Sequence, residues 1–414
     1  MTTDGELLLP EGSRILHIGP HKTGTSGLQA ALDIARRDLD RQGVHYAGYG
    51  RQSMMSVLAG LELPSPWSSD RKPPGRWRWH YLLRDVRGSK AARVILSSEF
   101  FSDATPASAR RILEELDPER VRVVVTLRPI ARIIPSQWQQ FVQNLVTTPL
   151  DAWVEDLVAT AHDTKQSLFW HRHRHDLLIR RWAEIVGPER MVAIVVDDRD
   201  HEMLLRAFER LTGLETGTLR VASDLANRSL TLAETEVIRA FNVAYLAQKL
   251  PRPLYTRVVR FGAASLMETR LPEPDEPRIE LPPRSVEKVA ELAREMVAGI
   301  RASGVRVIGD LEDLTEVPAL TERQPGPVSV SPEVAASVAL SVLVASGVAQ
   351  GTGRITVDGA DADGTRTRAR APRPVPEPPE LFRISTPQLL VTIARRVRGA
   401  VADRIAGVLR RRAG

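Results

Sequence analysis

The segment Arg14-Ile-Leu-His-Ile-Gly-Pro-His-Lys-Thr-Gly-Thr-Ser26 constrains the chain more than any other stretch. An apolar, β-branched run stops at a glycine, crosses a short polar loop and resumes as the periodicity of a helix beginning at Ser26. That order predicts a strand, a tight loop and a helix whose first-turn N–H groups and dipole face the loop, an arrangement suited to phosphate or sulfate. Gly19 and Gly24 keep the G-x-x-x-x-G spacing of a nucleotide-binding loop. Thr25, however, stands where G-K-[ST] requires lysine, and the lysine sits inside the loop at position 22. Only six of the chain's 57 basic residues are lysines, so Lys22 is not one of many surface ammonium groups. From the loop apex a compact ammonium reaches the place where charge develops on a leaving oxygen.

The rest of the first three-quarters alternates short apolar runs with longer helical patterns, as parallel strands joined by crossover helices do. Strands are expected at Arg14–Ile18, Arg93–Ser97, Val121–Leu127 and Met191–Val196, with a weaker one at Val44–Tyr46 and a last one at Val305–Ile308. Helices are expected at Ser26–Gln42, Pro106–Leu116, Ile130–Val146, Leu150–Ala159, His171–Val186, His201–Leu211, Leu232–Leu250 and Ser285–Ser303. The fold class that follows is α/β, a P-loop-like doubly wound parallel sheet flanked by helices. Ligands of such sheets bind outside the carboxyl ends of the strands, which singles out Gly19–Ser26, Ser98–Phe101, Arg128–Pro135 and Asp197–Asp200. The compact domain is expected over 1–314. A flexible linker interrupted by a short apolar helix at 334–349 is expected over 315–380, and a basic amphipathic helix within 381–414.

Charge separates these parts. Residues 381–414 hold eight arginines and one aspartate, more than the whole chain's net charge of +6, so everything before them is close to neutral. A body without basic excess is a poor nucleic-acid binder, and no nucleic-acid partner is expected. In the tail, Leu389, Ile393, Val397, Val401 and Ile405 recur every four residues, and seven arginines accompany them between 387 and 412. That is the composition of a helix lying on an anionic membrane surface, and equally of a helix docked on the domain or on another copy. The 16 residues from Val334 to Ala349 are too few for a bilayer span, which takes about 20. Met1–Gly12 lacks the charged and apolar run of a secretory signal. The absence of cysteine removes disulfides, thiolate metal sites and a cysteine nucleophile, and a cytoplasmic location, peripheral at the inner membrane face, is expected.

The loop His17-Ile-Gly-Pro-His-Lys-Thr-Gly-Thr-Ser26 resembles the 5′-phosphosulfate loop of the sulfotransferase superfamily, P-K-x-G-[ST]-[ST], and more closely a bacterial form, H-x-G-x-H-K-T-G-T-[ST]. His21 stands where the shorter pattern has proline, as it does in the bacterial form. A second signature of that family is a strand ending in arginine with a serine eight positions on. Val123-Val-Val-Thr-Leu-Arg128 followed by Ser136 is similar to it. The resemblance covers about residues 14–314 and implies transfer of a sulfuryl group from 3′-phosphoadenosine 5′-phosphosulfate (PAPS) to a hydroxyl or amine of a carbohydrate, lipid or small molecule, leaving 3′,5′-adenosine bisphosphate (PAP). No metal is implied. It also implies donor contacts from His21, Lys22, Thr23, Gly24, Thr25 and Ser26, a 3′-phosphate grip by Arg128 and Ser136, and a loop near Asn227-Arg-Ser229 in which Arg228 adds a phosphate contact. Arg128's planar fork and Ser136's hydroxyl, about two helical turns on, suit a phosphate on physical grounds too.

Transfer to a hydroxyl requires a proton acceptor. Glu99 follows the strand Arg93–Ser98 at the carboxyl edge beside Phe100 and Phe101, where burial would raise its pKa, and it matches in position a glutamate that the resemblance makes the base. A carboxylate stabilising a helix start would look the same. His80, between Trp77, Trp79 and Tyr81, is the second candidate. His171 and His175 have i, i+4 spacing, but the interleaved arginines oppose a dication. Two other classes stay open. Val192-Ala-Ile-Val-Val-Asp-Asp198 has the form of a strand and aspartate that hold magnesium in a P-loop kinase or NTPase. A non-catalytic nucleotide-binding module would also keep the loop.

Overall fold

The structure is a computed structural model and describes residues 7–66, 71–163, 167–221, 228–317 and 328–346. Six strands, β1 (Ser13–His17), β2 (Val44–Tyr46), β3 (Arg93–Ser97), β4 (Val121–Leu127), β5 (Met191–Val195) and β6 (Arg306–Ile308), form one sheet in the order β2-β3-β1-β4-β5-β6. Every pairing is parallel. The mixed α/β class and the parallel sheet expected from the alternating pattern are therefore present. Ser13 to His17 register against Arg93 to Ser97 on one side, and Arg14 to His17 against Val121 to Val124 on the other. From β1 the chain goes first to β2 at one edge and comes back to β3 beside β1, then crosses to lay down β4, β5 and β6 outward on the opposite flank. The winding reverses at β1, so the loop leaving β1 opens at the crevice such sheets use for ligands.

Both faces of the sheet are covered, which is why its strands are apolar without alternation. On one face Leu16, Val123, Val125 and Ala193 pack against helices Met54–Leu61, Trp77–Gly88, Pro106–Glu115 and His175–Val186. On the other, Ile15, Val124 and Ile194 meet helices Thr25–Ile34 and Met203–Thr212. A third core is wholly helical and gathers helices Ile130–Val142, Leu150–Ala159, Leu232–Ala247 and Val286–Ala302 around Trp138, Trp170 and Tyr255.

Two expected helices are each divided. Ser26–Gln42 becomes Thr25–Ile34 and Arg36–Arg41, with Ala35 out of helical geometry (ψ 1°), so that Leu32 and Leu39 are both fully buried. His171–Val186 becomes Leu168–His173 and His175–Val186. Arg174 lies between them at ψ 83°, drawn to Asp176 (2.8 Å) and Glu295 (2.7 Å). The i, i+4 geometry of His171 and His175 is therefore absent. The apolar segment expected at 334–349 forms helix Pro332–Ser346. Its buried Val338 joins the helical core, and it packs along Thr256–Ala263, a helix wound in the wider π geometry. Among the described residues no helix is long and apolar enough to cross a membrane. The chain divides into units 1–355 and 356–414, and the second, with the amphipathic pattern at 387–412, lies outside the described residues.

Candidate functional site

The loop after β1 is held by a buried polar chain. Thr23 Oγ1 donates to the Pro20 carbonyl at 2.8 Å and lies 2.8 Å from Thr126 Oγ1. Thr126 Oγ1 lies 3.2 Å from His17 Nε2, and His17 Nδ1 lies 2.7 Å from Ser97 Oγ. Burial holds His17 neutral, with its pKa down at about 3. One proton arrangement then satisfies every member: Ser97 donates to Nδ1, Nε2–H donates to Thr126, and Thr126 donates to Thr23. Gln29 Nε2 extends the chain, donating to Ser97 Oγ and to Glu99 Oε2, both at 3.3 Å. Gly19 lies flat against these groups, since a Cβ there would stand 2.1 Å from Thr126 Oγ1 and 2.6 Å from His17 Nε2.

Above this support the loop turns back on itself. Lys22 (φ 69°) and Gly24 (φ 85°) both occupy left-handed geometry. For lysine this costs about 1–3 kcal/mol, strain of the kind found at ligand sites. Gly24 is the N-cap of helix Thr25–Ile34, and no side chain caps that helix. The Gly27 N–H meets the Gly24 carbonyl at 3.1 Å, while the N–H groups of Thr25 and Ser26 have no acceptor within the helix by geometry and lie at the positive end of its dipole. A tetrahedral anion fits this cradle of bare donors. Burial lowers the Lys22 pKa, Glu268 opposes the shift, and Arg128 and Arg260 add to it. The Arg128 and Arg260 guanidiniums thus both act on the Lys22 ammonium, with Glu268 as the opposing charge.

Arg128 leaves the end of β4. It donates to Asp198 Oδ2 from Nε (3.0 Å) and Nη2 (2.8 Å), and weakly from Nη1 to the Lys22 carbonyl at 3.5 Å. Arg132 reaches the same Asp198 oxygen at 3.3 Å. Arg128, Ser136 and Arg228 line one cavity of about 740 Å³, together with Ala131 and Pro135. Pro135 lies inside helix Ile130–Val142 and supplies no N–H to the Ala131 carbonyl, leaving an acceptor on the turn that carries Ser136. Arg228 has no donor to spare. Its five N–H groups go to the carbonyls of Arg270, Ser229 and Met267 and to both oxygens of the buried Glu234. Arg228 therefore forms a wall of this cavity rather than an open cation.

Glu99 opens the turn after β3, and burial raises its carboxyl pKa while Gln29 and a backbone N–H hold the charged form. The next residue, Phe100, meets His21 edge to face at 5.1 Å between ring centroids. His21 and Phe100 line a second cavity of about 280 Å³, whose far wall carries Gln137, Gln140 and Gln143. Burial, reinforced by Arg172, holds His21 neutral, and its Nε2 is buried without a hydrogen-bond partner. Gln137 Oε1, Gln140 Oε1 and Gln143 Nε2 are in the same condition. His80 is exposed on helix Trp77–Gly88, since Trp79 takes the buried face of that turn, and it lines neither cavity; Glu99 and Lys22 are not among the lining residues either, but their chain neighbours Phe100 and His21 line the second cavity. Among the described residues no group of three or more His, Cys, Asp or Glu is placed to hold a metal ion. Gln29, Ser97, Thr126 and the three cavity glutamines escaped the sequence reading. Ser97 and Thr126 carry the one available signal, as polar residues in otherwise apolar strands.

No family model matches the chain, and no curated protein does. Among solved structures, a sulfotransferase from Alicyclobacillus acidocaldarius matches 71% of this chain and 96% of its own at 14% identity, with a TM-score of 0.38.

Proposed function

We propose that the protein is a sulfotransferase that takes PAPS as donor and a hydroxyl-bearing acceptor. The reading is supported by one observation: Lys22, in the loop before the uncapped helix, follows His21, which lines the second cavity, and its carbonyl lies 3.5 Å from Nη1 of Arg128, which with Ser136 lines the first. Two anionic groups of one donor and one neutral acceptor fit that order. The loop N–H groups and Lys22 hold the 5′-phosphosulfate, and Arg128 with Ser136 holds the 3′-phosphate. When bound, the donor supplies an activated sulfuryl group. Glu99 takes the acceptor's proton as its oxygen bonds to sulfur, the bond from sulfur to the bridging oxygen breaks, and PAP leaves with the charge. Lys22 lies where that charge appears, so its contact strengthens toward the transition state. In this reading Asp198 aims the Arg128 fork before the donor arrives.

The same Asp198 disfavours a magnesium-dependent NTPase, because its carboxylate is already engaged by Arg128 and Arg132. Nucleotide choice tests the proposal directly. PAP without magnesium is expected to raise the melting temperature, and label from [35S]PAPS is expected to reach an acceptor. Stabilisation by ATP with magnesium and none by PAP would overturn it. Tight PAP binding with no transfer to any acceptor would leave a nucleotide-binding module.

A further inference from the structure

The cavity beside the loop has polar groups that the fold itself does not use. Gln137, Gln140 and Gln143 follow one another at three-residue steps on helix Ile130–Val142 and its C-cap, about 4.5 Å apart along the axis. Gln137 is 2% exposed, yet its Oε1 has no partner, and neither does Gln140 Oε1, Gln143 Nε2 or His21 Nε2. All four residues line the same space. Buried polar atoms are almost always paired, and four orphans converging on one cavity point to a ligand that supplies the partners.

We propose that this cavity is the acceptor subsite and that it takes a compact polyol, one sugar or cyclitol ring carrying several hydroxyls. The proposal rests on the sulfuryl-transfer reading for its role as acceptor, but not for its binding. Two of the glutamine orphans accept hydrogen bonds and Gln143 Nε2 donates, while the Nε2 of a neutral His21 accepts or donates according to its tautomer. A ring with several hydroxyls donates and accepts at each, and so meets all four. A phenol brings one hydroxyl and leaves most of them unmet. Phe100, Phe141 and Leu168 offer apolar surface to the C–H faces of such a ring. The volume of about 280 Å³ lies at the small end for ligand pockets, enough for one ring and too little for an oligosaccharide. Arg172, held by both oxygens of Asp103 at 2.5 and 2.6 Å, lines the space together with Arg252 and Arg260, so the walls carry guanidinium N–H donors for hydroxyl oxygens beside the glutamine groups.

The test uses the full chain with PAP present and three probes: methyl α-D-glucopyranoside, myo-inositol and 4-nitrophenol. Ligand-observed NMR measures binding, and [35S]PAPS measures transfer. At least one polyol is expected to bind and to be sulfated with kcat/KM about tenfold or more above 4-nitrophenol. Gln137→Leu and Gln140→Leu are each expected to weaken that polyol about tenfold while leaving PAP affinity unchanged. Gln137→Leu should also raise the melting temperature of the free protein, because it removes a buried amide oxygen that has no partner. That rise shows the variant is folded. Absence of polyol binding, equal binding by the leucine variants, or preference for 4-nitrophenol would overturn the proposal. Polyol binding that survives when PAP neither binds nor turns over would instead overturn the sulfuryl-transfer reading alone.

Discussion

In the proposed reaction Lys22 and Glu99 would bear opposite obligations, and burial pushes both toward their neutral forms. Lys22→Ala is expected to lower kcat about 10²–10³-fold and to change PAP affinity by much less, since the ammonium's contact grows as the leaving oxygen gains charge. Equal losses in kcat and in PAP affinity would make Lys22 a ground-state anchor only. Arg128→Ala should weaken PAP about tenfold or more, and an analogue lacking the 3′-phosphate hardly at all. Glu99→Gln should abolish transfer and spare PAP binding. It has a second readout, in stability. Between the unfolded carboxyl pKa of about 4.3 and the raised folded value, the folded chain binds more protons than the unfolded one. Stability from this group is therefore full at acid pH and falls as pH rises through that window. Glu99→Gln escapes the fall, so its melting temperature should exceed that of the wild type at about pH 8, with the gap closing near pH 4. A gap independent of pH would show that Glu99 is not buried as a carboxyl group.

The strand, loop and helix around residues 13–34 form one mechanical unit, because β1 ends at the residue whose imidazole supports the loop. Gly19→Ala would drive a methyl into Thr126 and His17, and is expected to cost about 1–3 kcal/mol while also displacing the anion cradle. A fully stable variant with normal PAP affinity would remove the buried chain from the site. Elements of this kind were legible in the sequence because strand runs and the glycine loop are local patterns. β2, β3 and β4 appear at the residues expected, and the others within a residue or so. The breaks at Ala35 and Arg174 were not legible, because each is imposed by a distant partner: the sheet for Leu39, Glu295 for Arg174. The second cavity was invisible for a related reason. A glutamine on a helix face reads as solvated polarity, and only the arrival of Phe100, His21 and Tyr255 from other elements makes Gln137 an interior residue. His80 shows the converse. Its aromatic neighbours in sequence suggested a packed site, but successive helical residues point about 100° apart, so Trp79 is buried while His80 faces water.

Across the whole chain, the π-wound helix Thr256–Ala263 joins parts that are remote in sequence. Thr256 and Arg260 line the glutamine cavity, and Arg260 also acts on Lys22. The opposite side of the same helix receives helix Pro332–Ser346 so closely that a Cβ on Gly262 would lie 2.3 Å from the Ala345 Cβ. Gly262→Leu is expected to prise the two helices apart and raise the acceptor KM while leaving PAP affinity intact. An unchanged acceptor KM would confine this contact to packing. Gly262 has another consequence when the contact is viewed as a thermodynamic cycle. If docking of Pro332–Ser346 tightens the cavity wall, an occupied cavity must in return tighten that docking by the same factor. Protease sensitivity around residues 328–346 then becomes a gauge of occupancy, slowed by the acceptor and indifferent to PAP, and it reports on a pocket that none of those residues touches.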